Sequence, residues 1–421
     1  MLTLLVLYLV VPAAQVAVFL ANQWAYGPVM ALDFAASITA VHWMLANAIV
    51  AAKVPVLQRL IPYDQRIRFH VLSSIGLMIA IAWHGIFKTA TGAYFNAVTW
   101  ALLVMVTGFF AVAILWIPVP GFRRIRSLLQ RAARRTNAAA YDRSKFVHRI
   151  LMLSVTTLLF LHITSAGVFA TVPPASAAVY FVMFALAWSL PILSAMGAFR
   201  KRATVTAVTR HHDIVNVELE PTGRYSYRAG QFAFLRSRNA NGKIEEHPFS
   251  FLSVPHEGTI RFGIRMSGDF TNHIANLQVG ETVEVSRPFG NFRPRRHEQI
   301  CLIGSGVGTV PIVSLLKEIA AAGEARSVLA FLAVDRREQI LDHDQLAEIH
   351  RAAEGLDIRL LVYDEDGIRF SEEFFRREIP DPEHYSYYLC SSPRVRSVIT
   401  DALASLGVTR SNVTFEAFSL G

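Results

Sequence analysis

The chain has 421 residues, 53% of them hydrophobic, and 41 Lys and Arg against 32 Asp and Glu give a formal charge of +9. That length holds a membrane bundle and one or two soluble domains. Cys301 and Cys390 are the only cysteines, both in the second half, which excludes a cysteine-ligated iron–sulfur cluster or a disulfide framework and fits a reducing cytoplasm.

Apolar stretches dominate residues 1–198, and a basic cluster, Arg200-Lys201-Arg202, ends them. Six segments meet the length rule for spanning helices: about 2–21, 34–52, 68–88, 97–118, 147–170 and 176–198. The first lacks the positive n-region of a signal peptide and reads as a retained helix. The loop after the second carries Lys53, Arg59, Arg66 and Arg68. The loop after the fourth carries Arg123, Arg124, Arg126, Arg131, Arg134, Arg135, Arg143, Lys145 and Arg149, whereas the opposite loops offer little beyond Lys88. The positive-inside rule therefore places the basic loops, and everything after residue 200, in the cytoplasm. The excess charge then faces lipid headgroups and needs no nucleic acid to explain it. The expected localisation is an integral protein of a plasma membrane, of bacterial inner-membrane type given its compact plan.

Two spans each carry a histidine pair, His70 with His84 and His148 with His162, both fourteen residues apart. Fourteen helical residues rise roughly 21 Å and return within roughly 40° of the same face. Two such helices side by side hold two stacked imidazole pairs, one near each leaflet. That arrangement ligates two b-type haems, His70/His148 at the cytoplasmic level and His84/His162 at the far level. A single intramembrane histidine is more often a packing or cavity residue, and His42, which lacks a partner at this spacing, is read that way. Arg66, Arg68, Lys145 and Arg149 flank the inner pair, either to meet haem propionates or only to satisfy topology. Gly76, Gly85 and Gly167 offer room for a flat macrocycle, although glycine is common in membrane helices.

Residues 203–296 alternate as short strands at Ala203–Thr209, Ile214–Leu219, Phe232–Arg236, Ile260–Met266 and Thr282–Ser286, which suggests a small antiparallel β-barrel. From Gln299 the rhythm becomes strand, glycine-rich turn and helix, that of a parallel α/β sheet. In the turn Gly304-Ser305-Gly306-Val307-Gly308-Thr309-Val310-Pro311, glycines let the main chain approach a pyrophosphate at a helix N-terminus. The spacing is not GxGxxG, so a plain tight turn is the competing reading. The domains are thus 1–199 helical and haem-binding, 200–297 a barrel, and 298–421 an α/β domain.

His247-Pro248-Phe249-Ser250 resembles the flavin motif of the ferredoxin–NADP reductase-like dehydrogenase domain in NADPH oxidases and ferric reductases. Gly230-Gln231-Phe232, Arg265 with Gly268-Asp269-Phe270-Thr271, the Gly304–Pro311 turn, Cys390-Ser391-Ser392-Pro393 and Phe415-Glu416-Ala417-Phe418 match further motifs in family order. With the bis-histidine bundle ahead of it, nearly the whole chain resembles these transmembrane flavocytochromes b.

The resemblance implies FAD and NADPH, with NADH possible. It implies that His247, Pro248, Phe249 and Ser250 run along the flavin. It also implies that Arg265, Gly268 and Thr271 hold its phosphates, and that Gly304, Gly306, Gly308, Thr309 and Pro311 hold the nicotinamide nucleotide. Phe418 and Cys390 would flank hydride transfer. Arg336 and Arg337, after the expected strand Val328–Val334, either bind an adenosine 2′-phosphate or form a solvated charge pair. Ser392 and the tail Ser419-Leu420-Gly421 depart from the family pattern. The implied activity is electron transfer across the membrane to O2, giving superoxide. The rivals are a ferric chelate as acceptor, a periplasmic partner enzyme fed by the membrane chain, or a flavoprotein merely anchored by its helices.

Overall fold

A computed structural model describes residues 2–22, 27–61, 63–114, 139–239, 242–295, 299–323, 327–353 and 355–416. The chain divides into two compact units, Met1–Ala198 and Phe199–Gly421.

In the first unit Leu2–Leu5, a π-helical stretch Val6–Val10 and Val11–Asn22 form one continuous helix, α1. The irregularity precedes Pro12, which has no N–H for the Tyr8 carbonyl. The Trp43 indole supplies the missing donor at 2.7 Å. There follow α2 (Pro28–Ala51), α3 (Pro55–Leu60), α4 (Tyr63–Ala90), α5 (Ala97–Ile114), α6 (Ala139–Ser165), α7 (Val168–Thr171) and α8 (Pro174–Ala195). Pro28, Pro55 and Pro174 each open a helix, where their missing N–H costs nothing. Among the described residues five helices are long and apolar enough to cross a membrane, and Ala97–Phe110 is a shorter apolar one. The expected continuation of that span to 118, the basic residues Arg123–Arg135, and the side chains of Arg59, Arg68, Arg143 and Lys145 lie outside the described residues.

Helix α2 is the most enclosed, packing against α1, α4, α6 and α8. Its polar residues are met by neighbours, as an apolar surround requires. Asn47 Oδ1 accepts from Tyr8 at 2.6 Å and from Ser73 at 2.7 Å.

The second unit begins with a six-stranded antiparallel sheet of order β4-β3-β6-β1-β2-β5. The strands are β1 (Arg200–His211), β2 (Ile214–Pro221), β3 (Phe232–Arg238), β4 (Ile244–Ser250), β5 (Ile260–Arg265) and β6 (Thr282–Ser286). A bridge between Phe251 and Phe262 joins the β4 edge to the β5 edge. The short helix α9 (Asp269–Ile274) lies between β5 and β6.

The remainder is a parallel sheet of order β11-β10-β7-β8-β9. Its strands are β7 (Ile300–Ser305), β8 (Val328–Val334), β9 (Leu356–Val362), β10 (Ser386–Cys390) and β11 (Val413–Glu416). Between them come α10 (Thr309–Ala321), α11 (His343–Ala352), α12 (Tyr363–Asp366), α13 (Glu372–Glu378) and α14 (Pro393–Ser405).

A half-buried charge cluster around the buried Lys317 ties the two sheets together. Arg261 on β5 donates to both Asp342 oxygens, at 2.8 and 2.7 Å, and Lys317 on α10 contacts Asp342 and, at 3.1 Å, Glu257. Burial pushes the Asp342 carboxyl up, but hydrogen bonds and charge from Arg261 and Lys317 hold it below the usual carboxylate range. A depressed native value stabilises the fold above the ordinary carboxylate pKa and is lost as pH falls through the native one. Asp342→Asn leaves Arg261 and Lys317 under-compensated and is expected to cost about 3 kcal/mol. Denaturant unfolding would show it as a lower midpoint with a weakened acid limb, and an unmoved midpoint would contradict it.

Candidate functional site

The inner histidine pair of the helical unit comes together across two helices. His70 on α4 and His148 on α6 face each other with ring centres 6.5 Å apart and planes at 77°. Two imidazoles ligating one iron from opposite faces, at about 2 Å per bond, bring their ring centres to roughly 6 Å. The inner pair therefore fits a bis-histidine haem. Phe109 stacks on His148 at 4.6 Å.

At the other end of the same helices His162 lies within electrostatic reach of His84. His84 Nδ1–H donates to Asp33 Oδ1 at 3.0 Å. His162 Nδ1 lies 3.3 Å from the Thr99 hydroxyl, which itself donates to Asn96 Oδ1 at 2.9 Å and so accepts from the ring. Both outer rings thus meet these partners through Nδ1, which would leave Nε2 to a metal.

Three side readings change. Arg66 is buried with its guanidinium on the Val50 and Ala52 carbonyls, at 3.3 and 3.0 Å, capping the end of α2 rather than offering its charge to a propionate. The space beside Gly76 is filled by the Trp43 ring, so this glycine makes room for an indole. Gly85 does face open space, whereas Gly167 serves a left-handed turn at φ 71°. The Lys88 Nζ lies 3.0 Å from Asp33 Oδ2.

In the second unit His247–Ser250 forms the end of edge strand β4, paired with β3 through Leu235↔His247, Phe234↔Pro248 and Phe232↔Ser250. An edge accepts Pro248, because its missing N–H faces away from the ladder. The His247 ring lies 4.4 Å from Phe270, and Phe249 is parallel to Phe270 at 6.2 Å. Phe270 belongs to α9, so the His-Pro-Phe-Ser strand and the Gly268–Thr271 segment converge. Thr271 Oγ1 accepts from the Ser267 and Gly268 amides at 2.9 and 3.0 Å, which makes Thr271 the clamp of that turn.

Arg265, at the end of β5, donates to Asp213 Oδ2 at 2.7 Å, and its guanidinium is the nearest group to Gly306 of the nucleotide loop. Asp213 also accepts from Gln339 at 2.5 Å. Burial raises the Asp213 carboxyl, and hydrogen bonds from Gln339 and His212 with the Arg265 charge outweigh that and lower it. Arg265 therefore lies beside the nucleotide loop.

The loop itself has three glycines with three duties. Gly306 sits at φ 59° and allows the turn. A Cβ on Gly304 would lie 2.8 Å from the Thr309 Cα, and one on Gly308 would overlap the Cys390 carbonyl. Thr309 donates to the Gly306 carbonyl at 2.8 Å, and Pro311 is buried in the first turn of α10.

Cys390 ends β10 between Gly304 of β7 and Glu416 of β11. Its thiol is enclosed, and burial above all raises it well above the usual thiol range, so it meets this loop as a neutral packing group. Arg336 and Arg337 are half-exposed beyond β8 and pair with Asp364 at 3.3 Å and with Glu365 at 2.9 Å. Phe418 lies outside the described residues.

A family model of an FAD-binding domain matches residues 199–293, which contain β1–β6. Dual oxidase 2 of Rattus norvegicus is 25% identical over 311 residues, covering 66% of this chain and 20% of its own length. That match is longer than the second unit, so it reaches into the helical one. The chain is similar to NAD(P)H-dependent flavin oxidoreductases, dual oxidase and ferredoxin reductase components among them. The reductase component of the naphthalene 1,2-dioxygenase/salicylate 5-hydroxylase systems of Ralstonia sp is 24% identical over 229 residues, 52% of this chain and 68% of that protein. A flavohemoglobin structure from Malassezia yamatoensis aligns at TM-score 0.49 and 19% identity, over 64% of this chain and 74% of its own. The oxidoreductase spans about a fifth of the length of the dual oxidase it matches.

Two parts of this oxidoreductase's site escape motif reading. Asp33 and Thr99, which hold the outer histidines, carry no spacing signal, because their partners lie 51 and 63 residues away. The Asp213–Arg265–Gln339 contact likewise joins distant segments.

Proposed function

We propose that this chain carries electrons from cytoplasmic NADPH to dioxygen on the opposite side of a membrane, giving superoxide. FAD and two b-type haems, when bound, supply the conversion of hydride to single electrons and their passage. The chain supplies positions. His70 and His148 would hold the inner haem, and His84 and His162 the outer one. His247–Ser250 and Phe270 line the flavin's edge, Arg265 and Thr271 order its phosphate segment, and Gly306 with the start of α10 receives the nicotinamide nucleotide. Arg336 and Arg337 would exchange their acidic partners for a 2′-phosphate. The observation that carries this reading is the 6.5 Å facing of His70 and His148 in a chain with a flavin-domain half.

Charge supports dioxygen over an anionic ferric chelate. In the proposed orientation, segments 22–33, 89–96 and 166–175 hold no Lys or Arg, and their one acidic residue is Asp33. Lys88 is neutralised by that carboxylate at 3.0 Å. An uncharged mouth offers no steering to an anion and suits a neutral acceptor.

Anaerobic NADPH added to purified, FAD- and haem-loaded protein is expected to reduce the b-type absorbance. If NADPH reduces the flavin and leaves that absorbance oxidised, the reading fails.

A further inference from the structure

The four histidines are supported unequally. Residues 1–198 contain only three carboxylates, Asp33, Asp64 and Asp142, and the last two adjoin the basic loops. Asp33 is fully buried in α2. A buried carboxylate in an apolar surround costs several kcal/mol unless opposite charge and hydrogen bonds compensate it. Here Oδ1 accepts from His84 Nδ1 at 3.0 Å and Oδ2 lies 3.0 Å from Lys88 Nζ. Phe34 and Phe87 cover the Lys88 ammonium, at 5.1 and 5.6 Å to their ring centres. Among the described residues His162 has a hydroxyl partner at 3.3 Å, His148 has a phenyl ring, and His70 lies beside the Asn47 main chain. Among the described residues, one ligand of four therefore bears a carboxylate.

We infer that Asp33 is a positioning residue which strengthens His84 as an outer haem ligand and holds the outer midpoint potential down, with Lys88 limiting the effect. This rests on the bis-histidine haem reading. A carboxylate on Nδ1–H raises the basicity of Nε2, and a more basic axial ligand favours the ferric state. Lys88 withdraws part of that charge by sharing the same carboxylate. The end of the chain nearest the acceptor thereby becomes the stronger reductant, which suits a one-electron acceptor that does not bind iron.

The test is anaerobic redox potentiometry of the full-length, haem-loaded protein in detergent, following b-type absorbance with neither NADPH nor acceptor present. Asp33→Asn is expected to raise one of two midpoints and leave the other, whereas Asp33→Glu keeps both near wild type. Lys88→Gln is expected to lower the component that Asp33→Asn raises. If Asp33→Asn retains its haem and both midpoints, Asp33 only packs α2 against α4 and the inference is overturned. If Asp33→Asn does not fold, Lys88→Gln decides, and an unshifted midpoint there overturns it equally. Wild-type protein that takes up no haem would instead sink the haem reading itself, a distinct result.

Discussion

In the His70→Leu protein, b-type absorbance per chain is expected to fall to about half of wild type, because in the proposed scheme each pair would hold one haem. NADPH should then reduce none of the remainder. His70 faces His148 at 6.5 Å, and leucine fills similar space without a nitrogen, so the inner site is lost while the helix is kept. The outer pair lies roughly 21 Å further along the helices, too far to be served without the inner level. His42→Leu is the matched control. His42 is buried on α2 with Nδ1 on the Ile38 carbonyl at 2.8 Å and its ring against Tyr180 at 4.7 Å, so haem content and NADPH-driven reduction should persist. Difference spectra before and after NADPH read both proteins. Normal reduction of the outer component in His70→Leu would contradict the order of the relay.

Gly308→Ala is expected to cut NADPH-driven flavin reduction at least tenfold while FAD stays bound. Gly308 has φ −65° and ψ −13°, which alanine adopts freely, so the loss is steric rather than conformational. The added methyl overlaps the Cys390 carbonyl, and main chain at the end of a central strand cannot step aside. Relief requires the loop to lift from β10, which displaces Gly306 and the start of α10 at a cost of about 3 kcal/mol. Gly306→Ala is the informative contrast. It meets no atom closer than 3.8 Å and suffers only its left-handed φ, about 1–2 kcal/mol. Stopped-flow flavin absorbance at saturating NADPH would separate them, and a Gly308→Ala protein as fast as wild type would be inconsistent with this packing.

Periodic features were the most legible in the sequence. The fourteen-residue histidine spacing brings the inner rings of neighbouring helices together because a helix repeats regularly whatever surrounds it. Val328–Val334 is the strand expected, an uninterrupted apolar run between polar segments. Strand β4 was harder to see, since Ile244-Glu245-Glu246-His247-Pro248 has neither alternation nor β-propensity and holds its place by pairing with β3. Strand β1 extends to Arg200, into a cluster legible only as a topological signal, because Lys201 and Arg202 pair in register with Val285 and Glu284.

Destinations of long charged side chains were the least legible. Arg66 caps α2, Arg265 meets Asp213, Lys88 meets Asp33, and Arg336 and Arg337 meet Asp364 and Glu365. Each depends on a partner brought close only by folding, so composition shows the charge and not its use. The glycines divide for the same reason: Gly306 is a turn, whereas Gly76 and Gly308 are defined by the groups across from them, Trp43 and Cys390.

The central claim, that electrons from NADPH leave this chain one at a time onto dioxygen, is tested most directly by cytochrome c reduction. Purified protein loaded with FAD and haem would be given NADPH in air, with and without superoxide dismutase. Most of the signal is expected to disappear with dismutase. A signal that dismutase leaves intact, from protein whose haems still reduce under NADPH, would contradict dioxygen as the acceptor.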